Sequence, residues 1–326
     1  MGLLEHRTYF KPMEFEWAFA AYETQQQMHW IPSEVPLHED VKDWNTKLSL
    51  REKNLLTQLF RFFTQGDIDI AKGYIERYMP IFKPPEIRMM LAAFTNVESI
   101  HVHAYSLLLD TIGMPEAEYK AFQEYEDMAA KHDYLESVKF SSKADIAKNI
   151  AVYSAFGEGL QLFSSFAMLL NFPRTGKMKG MGQIVSWSLK DEDLHVNSMI
   201  KLFHTFIDEN PEVWTVPLKM ELIEICRTMV YLEDKFIDLA YEQGEIEGLT
   251  SREVKEYIRY TADKRLLQLG LNPIYKVKEN PLPWLDWMMG GESHTNFFEN
   301  RSTEYSKNAL KGDWGTVWEK HDRSNP

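Results

Sequence analysis

The sequence predicts an all-α protein, and three observations carry that prediction. Apolar residues recur at helical spacing along most of the chain, and no segment shows the strict alternation of a half-buried strand. Two Glu-x-x-His pairs and two further acidic residues fall inside apolar helical stripes, the pattern of a bundle that holds a metal pair between its helices.

The elements follow in chain order. Ser49-Leu-Arg-Glu52 is a capping box that opens a long helix towards Tyr78; Pro80 and the Pro84-Pro85 pair close it and start the next. That second helix runs to about Ile112, where Gly113 and Pro115 are stop signals. After a polar stretch with a shorter helix, Lys143 to Leu170 reads as a long apolar helix ended by Asn171 and Pro173. Met181 to Phe206 and Leu218 to Tyr241 continue the series, and Thr250-Ser-Arg-Glu253 caps a helix to about Leu269, with Gly270 as its stop. From Asn272 the periodicity fails among Pro273, Pro281, Pro283 and Gly290-Gly291. The expected organisation is one helical domain over residues 1–290 and an irregular, flexible C-terminal tail over 291–326.

Ala151 to Phe172 carries Glu158 as its only charge and is long enough to span a bilayer. Its Gln161, Ser164 and Ser165, and the lack of a second such segment, favour a helix enclosed by protein. A formal charge of −13 argues against a nucleic-acid surface, which needs a basic stripe. Cys226 is the only cysteine, so metals have to be held by histidine and carboxylate rather than thiolate. With no basic, small-residue-terminated leader, the expected location is the cytoplasm.

The chemistry rests on Glu98-Ser-Ile-His101 and Glu192-Asp-Leu-His195, each with its two ligand types on one helical face. About one Glu-x-x-His is expected by chance in a chain of this composition, so context decides. Each pair follows a helix with an acidic residue in a hydrophobic stripe: Asp67 stands 31 residues before Glu98, and Glu158 stands 34 before Glu192. An ionised carboxylate in an apolar core is costly unless it is paired or metal-bound, and Glu158 sits in the most apolar helix of the chain. A protonated core glutamate is the competing reading for that residue. Asp67 and Asp69 project about 200° apart, so only one faces inward. Asp67 shares its face with Phe63, Thr64, Ile70 and Tyr74, whereas Asp69 is flanked by Gln65, Gly66, Lys72 and Gly73 and is assigned to solvent. His103 lies about 140° from Glu98 and points away from the metals. Tyr105, seven residues after Glu98, returns to its stripe, which leaves either a phenol beside the metals or an ordinary core tyrosine.

These residues resemble the small, radical-generating subunit of class I ribonucleotide reductase. The strings that carry the resemblance are Met28-His-Trp-Ile-Pro-Ser-Glu34, Arg61-Phe-Phe-Thr-Gln-Gly-Asp67, Glu98-Ser-Ile-His101 with Tyr105, Gly157-Glu158-Gly159, Asp191-Glu192-Asp-Leu-His195, and Phe297-Phe298 followed by Tyr305. The resemblance implies a ferritin-like di-metal carboxylate bundle with additional helices. Asp67, Glu98, His101, Glu158, Glu192 and His195 would bind two ions, di-iron first, with manganese or a mixed manganese–iron pair as the other forms. Tyr105 would carry a radical formed with dioxygen, and Leu162 and Phe166, at helical spacing after Glu158, are candidate walls of its pocket. Trp30, Asp191 and His101 would relay the oxidising equivalent, and Tyr305 would hand it to the large catalytic subunit, which reduces ribonucleotides to deoxyribonucleotides. A homodimer and a docking tail are further implications. Trp314 and Trp318 are aromatic anchors of that tail, whose ending, Lys320 to Pro326, departs from the acidic, aromatic ending common in the family. The competing functions are a dioxygen-using di-metal oxidase or hydroxylase, which needs a substrate cavity, and a ferritin-like metal store.

Overall fold

A computed structural model of the chain describes residues 2–121, 124–286 and 288. Among the described residues there are eleven α-helices and no strand. They are α1 (Glu16–Gln27), α2 (His38–Thr46), α3 (Leu50–Lys72), α4 (Pro85–Ile112), α5 (Glu118–Ala121), α6 (Glu126–Ser137), α7 (Lys143–Ile150), α8 (Leu162–Arg174), α9 (Lys179–Glu209), α10 (Val216–Ala240) and α11 (Ser251–Gln268). Two wider π-helical stretches interrupt the α geometry: Gly73–Tyr78 continues α3, and Ala151–Gln161 joins α7 to α8.

Met1–Pro283 forms one compact unit. In the second, Trp284–Pro326, the described residues Trp284, Leu285, Asp286 and Met288 are helical, and Tyr305 and the expected tail over 291–326 lie outside the described residues.

In the first unit α3 packs along α4, α9 packs against α8 and the Ala151–Gln161 stretch, and α4 meets α9. These four rods enclose the core. Every residue from Ala151 to Phe172 is buried, and no described helix is long and apolar enough to cross a membrane. The helix expected to end at Asn171 and Pro173 instead continues to Arg174, with Pro173 inside it. Proline there costs one late hydrogen bond, and the backbone N–H groups of Thr175 and Lys177 return to the carbonyls of Asn171 and Phe172. Its ring fits because Gly182 on α9 has no side chain, and a Cβ there would lie 2.6 Å from Pro173 Cγ.

Side chains from outside the core set the register of the rods. The Ser49 capping box opens α3 with Glu52, which Lys177 also holds at 2.7 Å. Glu86, in the first turn of α4, pairs with Arg7 and accepts the N–H groups of Glu14 and Phe15, which fixes where α1 starts. The start of α9 lacks a side-chain cap of its own; Asp40 on α2 accepts the N–H groups of Gly180 and Met181 instead, and Asp43 that of Met178.

One buried ion pair ties α6 to α10. Lys131 Nζ lies 2.6 Å from Glu233 and 3.5 Å from the centre of the Phe62 ring, while Ser164 donates to the same carboxylate. Lys131→Met should leave Glu233 uncompensated and destabilise the protein by about 3–5 kcal/mol. Adding Glu233→Leu should recover most of that loss, and a denaturant-unfolding double-mutant cycle measures both.

Candidate metal centre

Asp67 on α3, Glu98 and His101 on α4, Glu158 on the Ala151–Gln161 stretch, and Glu192 and His195 on α9 converge in the middle of the bundle, each at most 1% exposed. They form two overlapping groups, Asp67, Glu98, His101 and Glu192, then Glu98, Glu158, Glu192 and His195. In each group one ligand atom per residue lies within 4.8 Å of the others. Glu98 and Glu192 belong to both, which is the arrangement of two ions bridged by carboxylates.

The imidazoles are oriented for this. His101 Nδ1 stands 3.5 Å from Glu98 and 3.3 Å from Glu192, and His195 Nδ1 is 3.0 Å from Glu98 and 3.5 Å from both Glu158 and Glu192. Each Nε2 faces outward, to Asp191 Oδ2 at 3.1 Å for His101 and to Gln25 Oε1 at 3.1 Å for His195. An acceptor on Nε2 keeps the proton there and leaves Nδ1 free to bind a metal.

The fit to cations can be tested on the unsatisfied atoms. Asp67 Oδ2, both oxygens of Glu98 and of Glu192, Glu158 Oε2 and His195 Nδ1 are buried without a hydrogen-bond partner. Leaving so many acceptors unpaired would be very costly, and four carboxylates match the charge of two divalent ions. Carboxylate and imidazole without sulfur suit iron or manganese.

Around this cluster, Asp191 accepts from Trp30 Nε1 at 2.8 Å and from Gln25 Nε2 at 2.7 Å, so Gln25 ties the outer partners of both histidines together. Trp30 is buried, stacks on His101 at 6.0 Å and packs on Trp187. Tyr105 is wholly buried with the Ser188 hydroxyl near its own; its ring stacks on Phe63 at 4.6 Å, and Phe63 stacks on Phe166 at 5.5 Å. Leu162 lines a cavity of about 30 Å³ with Phe62, Gly66 and Gly157. His103 is exposed on α4.

Asp69 is not given to solvent as expected. It is 5% exposed and held by His132 Nδ1 and Gln65 Nε2, each at 2.7 Å, because α6 covers that face of α3. Sequence reasoning also passed over Gln25, Phe63 and Tyr74 as members of the site. Tyr74 donates to Glu158 Oε1 at 2.7 Å, and its signal was its place seven residues after Asp67.

The family model described as ribonucleotide reductase, small chain, matches residues 7–281. The chain belongs to the ribonucleotide reductase small-chain family. The probable ribonucleoside-diphosphate reductase small subunit of Invertebrate iridescent virus 6 is 42% identical, over 98% of this chain and 99% of that protein. Among solved structures, the ribonucleotide reductase R2 subunit from Clostridium botulinum superposes with a TM-score of 0.81 at 24% identity, covering 87% of this chain and 91% of that one. The dimanganese(II)-NrdF of Streptococcus sanguinis has a TM-score of 0.77 at 20% identity, over 88% of this chain and all of that one. The fold is therefore the ferritin-like bundle of ribonucleotide reductase small subunits, which work with a large subunit. The buried carboxylate–histidine cluster fits a di-metal site of that family.

Burial and mutual charge favour protons on this cluster when no cation is bound. Burial, then the charge of Glu98, pushes the Asp67 carboxyl well above its ordinary 3.8, and burial raises Glu158 above 4.5. Burial opposes protonation of His101 and His195, yet the carboxylates around them prevail and hold both well above 6.5. All four groups bind protons more tightly folded than unfolded. Their contribution is thus largest at low pH and is lost as pH rises through the raised values. The melting temperature of metal-free protein should fall as pH rises from about 5 to about 8, and metal-loaded protein should melt higher with a flatter profile, as calorimetry would show.

Proposed function

We propose that this chain holds two ions with Asp67, Glu98, His101, Glu158, Glu192 and His195, and stores an oxidising equivalent as a radical on Tyr105 for use by the large subunit. Iron is the first assignment; manganese, as in the Streptococcus sanguinis neighbour, or a mixed pair is the form to test beside it. The bound pair, with dioxygen, supplies the oxidising power. The observation that carries the reading is Tyr105 itself, a wholly buried phenol beside the ligand cluster.

Each residue has a task that its surroundings support. Burial, then the charge of Asp67, keeps the Tyr105 phenol protonated, so its oxidation removes a proton along with the electron. The rings of Phe63 and Phe166 exclude solvent and reductants from the radical, and we assign buried Leu162 to the same pocket by its spacing from Glu158. The chain of hydrogen bonds from His101 through Asp191 to Trp30 is a path for the equivalent to leave, and Tyr305 is the next station towards the partner.

The cavity beside the ligand-bearing turns, at about 30 Å³, has room for water or dioxygen and is far below the several hundred Å³ of a typical substrate pocket. The match to the ribonucleotide reductase small-chain family favours the small-subunit role over a hydroxylase. We further propose a homodimer in the cytoplasm, with residues 1–290 as the helical domain and the tail over 291–326, including Trp314 and Trp318, as the docking peptide for the large subunit.

After loading with iron and exposure to oxygen, the protein should show a tyrosyl signal in electron paramagnetic resonance and about two metals per chain. Tyr105→Phe should keep the metals and lose the signal, and a signal that persists would remove the radical from Tyr105. Trp30→Phe should keep the tyrosyl signal but reduce turnover with the large subunit to background; unchanged turnover would exclude Trp30 from the path.

A further inference from the structure

We propose that Tyr74 is a positioning residue of the metal centre: its phenol engages Glu158 through Oε1 and so presents Oε2 to the ion on the His195 side. This rests on the two-metal reading above. The phenol is 1% exposed, and its hydroxyl donates to Glu158 Oε1 at 2.7 Å. The other oxygen, Oε2, is buried with no partner. The ring is fixed by edge contacts with His195 at 6.2 Å, Phe94 at 6.0 Å and Tyr78 at 5.8 Å, so the hydroxyl has one direction in which to point.

Glu158 needs such a restraint more than the other ligands do. It sits on a π-helical stretch between Gly157 and Gly159, so its side chain springs from wider turns than those of α4 or α9. Its Oε1 also lies 3.5 Å from His195 Nδ1. Without the phenol nothing on Oε1 opposes closure of the carboxylate on one ion with both oxygens.

The two phenols of the centre are related by the chain. Tyr74 follows Asp67 by seven residues on α3 and its continuation, and Tyr105 follows Glu98 by seven on α4. Seven residues return to nearly the same face two turns on. Each helix thus carries a carboxylate ligand and then a phenol. They differ in what the oxygen meets, since Tyr74 is bound to a ligand carboxylate and Tyr105 faces the Ser188 hydroxyl. The first restrains the centre, and the second remains free to be oxidised.

The test is a manganese(II) titration of metal-free full-length protein, with free manganese read by electron paramagnetic resonance. In Tyr74→Phe one of the two binding steps should weaken by about ten- to a hundredfold, while the other stays within about twofold. Two unchanged steps would overturn the inference. If the wild-type protein binds no manganese or iron, the two-metal reading fails first and takes this one with it. A crystal structure of manganese-loaded wild-type protein tests the same point without relying on the variant's folding. Glu158 should bind through Oε2 with Tyr74 still on Oε1, and a Glu158 that chelates with both oxygens, or a phenol turned away, would refute the assignment.

Discussion

Four carboxylates meeting in a buried core is the constraint on which this structure turns. Elsewhere in the bundle a buried acid is answered from within the protein. Glu233 has Lys131, Glu86 has Arg7, Asp69 has His132, and Asp40 accepts backbone N–H groups at the start of α9. Among the described residues, Asp67, Glu98, Glu158 and Glu192 have no lysine or arginine within salt-bridge distance, only two imidazoles to share. A chain that satisfies buried charge so consistently outside this cluster, and leaves it unsatisfied inside, is built to receive cations there.

Holding that cluster together requires four rods in fixed register, and the register is set at their ends. The Ser49 capping box with Lys177, the Glu86 carboxylate, and Asp40 with Asp43 each fix where a helix begins. A slip of one residue would turn a ligand about 100° away from its partners. The contact of Glu86 with Glu14 and Phe15 reaches furthest, because α1 starts there and carries Gln25 to a point where one amide meets both Asp191 and His195.

Helical periodicity made the six candidate ligands legible as one cluster, because on α3, α4 and α9 a spacing of three or seven residues converts directly into a shared face. Those helices keep α geometry through Asp67, Glu98, His101, Glu192 and His195. What spacing could not convey is which other helix covers a given face. Asp69, between glycines and polar neighbours, reads as solvated, yet α6 lies over it. Gln25 stands in a run of three glutamines with nothing to set it apart until α1 is docked. Around Glu158 the period itself changes, since the Ala151–Gln161 stretch winds more widely than 3.6 residues per turn. Projections from Glu158 to Leu162 and Phe166 on ideal helical geometry therefore carry an angular error that those from Glu98 to Tyr105 do not.

Consecutive residues on α9 join the two tasks of the centre. Glu192 points inward to the ligand cluster, and Asp191, one residue earlier and about 100° around the helix, points outward to Trp30, Gln25 and the far nitrogen of His101. His101 therefore touches Glu192 with Nδ1 and Asp191 with Nε2, so one ring lies between the metal position and the path away from it. A shift of α9 cannot alter one contact without altering the other. In the proposed function, metal binding and electron exit would thus be coupled through one turn of helix and one imidazole.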